Sequence, residues 1–147
     1  MNKIFIYYSL TGNGDIVANY LRDNGVDIRK VTAIDKMPRR KVGRILTGGF
    51  LASIGYKAKL INFNNDVSIY DEVIIGSPIW NGRLSCPINS VLKEINLDNK
   101  KVVFILYSGS GKSKKATKKI NKKYPGAKII DIKEPKDNLE LLEKIQI

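Results

Sequence analysis

Histidine is absent from this sequence, and cysteine occurs once, at Cys86. Without histidine the chain has neither the usual general base near neutral pH nor the commonest metal ligand. A single cysteine excludes an internal disulfide and any CxxC redox pair. Any chemistry is therefore expected to come from a bound cofactor rather than from a catalytic group of side chains, and no metal site is expected. Long apolar runs are missing as well, none approaching the roughly 18 residues of a membrane span. Met1-Asn2-Lys3 leads straight into a strand-like run with no apolar segment of signal-peptide type, so a cytoplasmic location is the expectation.

Acidic residues are scarce beside basic ones, 14 against 26, and the net charge is +12. Such a charge favours nucleic acid, an anionic membrane or an acidic protein as partner. It is concentrated in two places. Residues 36–65 hold Lys36, Arg39, Arg40, Lys41, Arg44, Lys57 and Lys59 with no acid, and residues 112–123 hold seven lysines with no acid. A solvated, lysine-rich surface is the plain alternative to a docking face. With 147 residues and 43% hydrophobic content, the chain reads as one domain spanning residues 1–147.

The most informative stretch is Ile4-Phe5-Ile6-Tyr7-Tyr8-Ser9-Leu10-Thr11-Gly12-Asn13-Gly14-Asp15-Ile16. Its five leading apolar and aromatic residues read as a strand buried on both faces. The pairs Ile16/Tyr20 and Val17/Leu21, each four apart, read as a helix. Residues 9–15 must then form a tight strand-to-helix turn, which aims backbone N–H groups and the positive end of a helix dipole at one point. That is an anion cradle without lysine or arginine, built from oriented N–H groups and hydroxyls. The plain alternative is an ordinary turn with Gly12 and Gly14 at positive φ and Asn13 or Asp15 as helix cap.

After a stop at Asn24-Gly25, residues 26–31 alternate as an edge strand, and residues 42–52 read as a basic amphipathic helix broken at Gly48-Gly49. Residues 73–78 read as a central parallel strand ending in the loop Ser77-Pro78-Ile79-Trp80-Asn81-Gly82-Arg83, with a helix over residues 87–95. Trp80, the sole tryptophan, either covers the core edge or offers a flat face to a planar ligand. Residues 100–107 form another strand, followed by the turn Ser108-Gly109-Ser110-Gly111, a helix over 113–123, a last strand over 127–132 and a C-terminal helix containing Leu139, Leu142 and Ile145. Five strands alternating with helices predict a doubly wound parallel α/β sheet with helices on both faces. In the order 2-1-3-4-5, the turns after the first, third and fourth strands all meet on one rim, where such sheets bind ligands.

Tyr8-Ser9-Leu10-Thr11-Gly12-Asn13 resembles the FMN-phosphate loop of the flavodoxin family, usually (S/T)-x-T-G-N-T, with Gly14 standing where the family has a second threonine. Gly76-Ser77-Pro78-Ile79-Trp80-Asn81-Gly82 and Tyr107-Ser108-Gly109-Ser110-Gly111 are similar to the family's two ring-holding loops. The resemblance implies a flavodoxin-like fold and one FMN. Its phosphate would sit on Ser9, Leu10, Thr11, Gly12, Asn13 and Gly14, and its ring would lie between Pro78, Ile79, Trp80, Asn81, Gly82 and Ser108, Gly109, Ser110, Gly111. It further implies a monomeric flavoprotein of electron transport that cycles its flavin between redox states with redox protein partners. The family is usually acidic; here the positive charge points to an acidic, ferredoxin-like partner.

Other readings differ in class. Gly109-Ser110-Gly111-Lys112-Ser113 does not complete a phosphate-binding P-loop, because Leu106 stands where the first glycine belongs. An NAD(P)H-dependent FMN quinone or nitro-group reductase would use Lys112, Lys114 or Arg83 to attract a dinucleotide phosphate, but the chain shows no extra loop for a nicotinamide. A basic nucleic-acid-binding module would need aromatic platforms among its lysines, and only Tyr124, at the end of the run, is near them.

Overall fold

The structure is a computed structural model that describes residues 1–34 and 58–147. The helix expected over residues 42–52 lies outside the described residues, as do all members of the first basic cluster except Lys59.

The elements run β1 (Lys3–Tyr7), α1 (Asn13–Asp23), β2 (Asp27–Lys30), β3 (Glu72–Trp80), β4 (Arg83–Leu84), α2 (Cys86–Glu94), β5 (Lys101–Ser108), α3 (Lys114–Lys123) and β6 (Lys128–Lys133), closing with a 3₁₀ helix (Leu139–Lys144). The main strands lie in the order β2-β1-β3-β5-β6, every adjacent pair parallel. This is the doubly wound arrangement expected, with one addition: β4 pairs antiparallel with the end of β3.

The burial of the strands follows from their composition. In β1, Ile4 to Tyr7 are buried, and the centres of β3 and β5 are equally covered, because helices pack on both faces. On one face, α1 and the C-terminal segment cover Phe5, Tyr7, Ile74, Ile105 and Tyr107. On the other, α2 and α3 cover Ile4, Ile6, Ile75, Phe104 and Leu106. Strand β2, with its mixed Asp-Ile-Arg-Lys, takes the edge. The stop after α1 is as read, with Gly25 at φ 79 and the Val26 N–H donating back to the Leu21 carbonyl at 3.1 Å.

Glu72 is fully buried at the start of β3, with Lys3 and Lys101 as its register partners on the two neighbouring strands. Lys101 Nζ stands 2.9 Å from its carboxylate and Lys3 Nζ 4.0 Å away, so the buried charge is compensated from both sides. This pairing lies at the end of the sheet opposite the three informative turns.

The C-terminal helix is corrected to a 3₁₀ helix. Leu139, Leu142 and Ile145 recur every three residues, the period of a 3₁₀ turn, and Leu142 and Ile145 are buried against the sheet. Among the described residues no helix is long and apolar enough to cross a membrane.

Candidate functional site

The first turn is tighter than its sequence suggests, because Asn13, Gly14 and Asp15 already belong to α1. Gly12 is the N-cap, at φ 93, a left-handed conformation that costs other residues about 1–2 kcal/mol. Neither Asn13 nor Asp15 is the N-cap, and Gly12, which is, has no side chain to offer a capping bond. Helical bonding begins with the Ile16 N–H donating to the Gly12 carbonyl at 3.1 Å, so the N–H groups before it have no partner within the helix. The Gly14 N–H donates to Ser9 Oγ at 3.2 Å, and Asn13 Nδ2 donates to Thr11 Oγ1 at 3.3 Å. Gly14 does not have positive φ. It is glycine for lack of room.

Two residues that the sequence reading did not single out partner the carboxylate beside this cradle, Lys30 with a charge and Tyr7 with a neutral hydroxyl. Asp15 Oδ1 accepts from Lys30 Nζ at 2.6 Å and from the Tyr7 hydroxyl at 2.8 Å. Burial raises the Asp15 pKa, but the hydrogen bonds from Lys30 and Tyr7 and the Lys30 charge outweigh it and hold the carboxyl below its ordinary value. Burial, then the Asp15 carboxylate, pushes the Tyr7 hydroxyl upward. The negative charge in the first turn is thus already partnered, and an anion entering the cradle meets N–H groups and hydroxyls rather than an unpaired carboxylate. A fourth loop also reaches this rim, where the Lys136 N–H donates to Asn13 Oδ1 at 3.1 Å. The signal for it was the same strand-end rule, applied to the last strand as well.

The stretch expected as a loop after the third strand is a hairpin. Ser77, Pro78, Ile79 and Trp80 remain in β3, and Asn81 and Gly82, at φ 49 and 71, make the two-residue turn into β4. Positive φ at both central residues, with Asn-Gly, is the pattern of a hairpin turn whose twist matches its strands. Trp80 is only 5% exposed, packed with Cys86, Tyr8 and Leu10, and Tyr8 meets it edge-on with ring centroids 5.9 Å apart. Its indole therefore covers the core, and its faces do not lie open on the rim. Burial raises the Cys86 thiol to about 11, leaving it protonated and unreactive.

The third turn is ordered by its serines. The Gly111 N–H donates to Ser108 Oγ at 3.1 Å and the Lys112 N–H to Ser110 Oγ at 3.2 Å, and Gly109 and Ser110 are exposed. Its backbone connects to the loop after β6 through the Glu134 N–H, which donates to the Ser108 carbonyl at 3.1 Å.

The parallel register places these turns side by side: Tyr7 pairs with Gly76, and Pro78 pairs with Tyr107. Of the residues expected at the site, Ser9, Leu10, Thr11, Gly12, Asn13, Pro78, Ile79, Gly82, Ser108 and Gly111 are partly exposed, and Asn81, Gly109 and Ser110 are exposed. Gly14 and Trp80 are buried. The rim can hold an anion on the α1 N-terminus and a flat group beyond it, against loop backbone. A cavity of about 560 Å³ lies instead at the opposite end of β5, lined among others by Leu97, Lys100, Lys101 and Tyr124. Two of its cations are already engaged, Lys100 Nζ with the Tyr70 carbonyl at 2.7 Å and Lys101 with Glu72. The rim carries the anion-holding groups, so the rim is the candidate site.

A parallel 2-1-3-5-6 sheet with helices on both faces, a glycine-capped first helix and two further turns on the same rim defines a flavodoxin-like α/β protein. The flavodoxin family model matches residues 54–140, more than half of the chain, and the chain belongs to that family. The matched span does not include the cradle on α1, so the reading of that turn stands on its own geometry. Among solved structures, a candidate flavoprotein from Bacteroides eggerthii is 21% identical with a TM-score of 0.72, covering 100% of this chain and 99% of its own. A second from Bacteroides uniformis is 19% identical with a TM-score of 0.71, covering 98% and 97%. A Lactobacillus acidophilus flavoprotein in complex with FMN is 17% identical with a TM-score of 0.69, covering 97% and 98%. At these identities the likeness concerns the fold. No curated protein matches the chain.

Proposed function

We propose that this chain binds one FMN on the rim of its sheet and works as an electron carrier between redox proteins. The observation that carries the reading is the α1 N-terminus, where a left-handed Gly12 without a side chain sets the Asn13 N–H beside the Ser9 and Thr11 hydroxyls, with Ser9 Oγ already tied to the Gly14 N–H. The already partnered Asp15 makes that place compatible with a phosphate. The FMN-bound Lactobacillus acidophilus relative supports the choice of group. Ser9, Thr11, Gly12 and Asn13 would hold the phosphate, and the hairpin turn Asn81-Gly82 and Ser108 to Gly111 would flank the ring.

When bound, the flavin supplies the electron transfer; the chain's own groups bind it, orient it and set its surroundings. Gly109, with room around it, would leave the backbone near the ring free to change peptide orientation, whereas Gly82 would present its peptide in a fixed left-handed turn beside Lys115. Their N–H and carbonyl groups would then tune the flavin. Lysines Lys112, Lys114 and Lys115, beside the third turn, favour an acidic partner.

The test is an absorption spectrum of freshly purified protein followed by FMN titration of the flavin-free form. Thr11→Val removes one hydroxyl from the cradle and should weaken FMN by about 1.5–3 kcal/mol, the contribution of a hydrogen bond to a charged group. Unchanged affinity in Thr11→Val would sink the assignment of the phosphate. Sustained NAD(P)H oxidation with a quinone acceptor would mark a reductase instead of a carrier.

A further inference from the structure

Gly14 is enclosed from three sides. A Cβ built on it would stand 2.6 Å from the Tyr107 hydroxyl, 2.8 Å from Tyr7 Cδ2 and 3.0 Å from Ser9 Cβ. Those neighbours belong to β5, to β1 and to the turn itself, so no single side-chain movement opens the space. The Tyr107 hydroxyl reaches this point from β5, past β3, and donates to the Tyr8 carbonyl, the last peptide before the cradle begins. On the other side, the Tyr7 hydroxyl holds Asp15, the residue after Gly14.

We propose that Tyr107 is a positioning residue for the phosphate cradle. Its hydroxyl anchors the Tyr8 carbonyl and fills the space beside Gly14, fixing the turn so that its N–H groups converge on one anion. The inference rests on the phosphate reading of that cradle. It also makes one feature of two sequence facts. Where a second threonine would place a side chain within the turn, this chain has glycine, and β5 contributes a tyrosine hydroxyl in the vacated room. Tyr107 is 2% exposed, and burial, then the neighbouring Tyr7 and Asp15, raises its pKa well above 10, so the hydroxyl remains a donor across the working range of pH.

The decisive variant is Tyr107→Phe, which keeps the ring and its packing and removes only the hydroxyl. In flavin-free protein, amide exchange at Gly14 and Ile16, whose N–H groups are held by Ser9 Oγ and the Gly12 carbonyl, should quicken about tenfold, the equivalent of one net hydrogen bond, while exchange at the centres of β3 and β5 is unchanged. FMN affinity should fall by a similar factor, about tenfold, with riboflavin affinity nearly constant because riboflavin has no phosphate. Gly14→Ala should cost more FMN affinity in the native background than in the Tyr107→Phe background, where the 2.6 Å contact is gone. Unaltered exchange in the cradle, equal losses for FMN and riboflavin, or an equal Gly14→Ala penalty in both backgrounds would overturn the proposal. Failure of the native protein to bind FMN would overturn the proposed cofactor, and the exchange measurement would still decide the role of Tyr107.

Discussion

The stem of Lys115 lies along Gly82: a Cβ on that glycine would stand 3.0 Å from Lys115 Cδ and 3.3 Å from Lys115 Cβ. The hairpin at the end of β3 and the first turn of α3 are thereby joined at the rim, and a lysine is held beside the proposed ring site. Gly82 is constrained twice, by that contact and by φ 71. Gly82→Ala should lower stability by about 1–2 kcal/mol for the left-handed backbone alone, with a further loss from displacing Lys115. Urea unfolding would read both. Adding Lys115→Ala should recover only the second part, and a Gly82→Ala protein as stable as the parent would show that neither constraint operates.

The strands and the three turns were legible in the sequence because they depend on local signals: continuous apolar runs for strands covered on both faces, and glycine with small polar residues where strands hand over to helices; the strand order, and with it the convergence of the turns, came from the doubly wound arrangement those elements resemble. The extension of β3 through Trp80 was not legible. Pro78 and the polar residues around it suggested a loop, and only pairing with Arg83–Leu84 reveals the hairpin. Tyr107, Lys30 and the burial of Glu72 escaped for a related reason. Each matters through a partner on another strand or helix, and single-sequence periodicity does not report register. Tyr107 carried a faint signal, as a residue with a polar tip ending an apolar strand on the candidate rim.

Acid should act on Asp15. Its carboxyl is held below the ordinary 3.8, so the Lys30 and Tyr7 contacts stabilise the fold fully above that value, and their contribution is lost as pH falls through the lowered folded-state pKa. Asp15→Asn should leave a protein whose stability declines less between neutral pH and pH values below 3.8 than that of the parent. Because the Asp15 side chain is 39% exposed and Lys30 52% exposed, solvent screens the pair and the effect should be modest. Parallel urea titrations at both pH values would show it, and equal slopes for parent and variant would remove Asp15 from the account.

Trp80 supports the core more than it supports a ring. With 5% exposure, its emission in flavin-free protein should be blue-shifted and weakly quenched by acrylamide. Trp80→Ala should cost about 3–5 kcal/mol through loss of packing against Tyr8, Leu10 and Cys86, whereas Trp80→Phe should keep FMN affinity close to native. A Trp80→Phe protein that folds normally but loses most of its FMN affinity would make the indole a ligand contact after all.

The last prediction concerns charge. Lys112, Lys114, Lys115, Lys118, Lys119, Lys122 and Lys123 are all exposed, and none takes part in an ion pair among the described residues. Three of them stand beside the third turn of the rim, and the Lys115 stem runs past Gly82. An unpaired positive field at the edge of the site should attract an acidic redox partner and speed encounter at low salt. The advantage should fade as the screening length shrinks to about 10 Å at 0.1 M. The same field favours an anionic reduced flavin, which makes the potential less negative, though exposure to solvent limits the shift. Replacing Lys112, Lys114 and Lys115 with Gln should therefore lower the potential, slow electron transfer from an acidic donor such as a ferredoxin, and flatten its dependence on ionic strength. Should rate, potential and salt dependence all persist in that variant, the lysines are a solvated helix face, and partner choice must rest on the uncharged contacts of the rim.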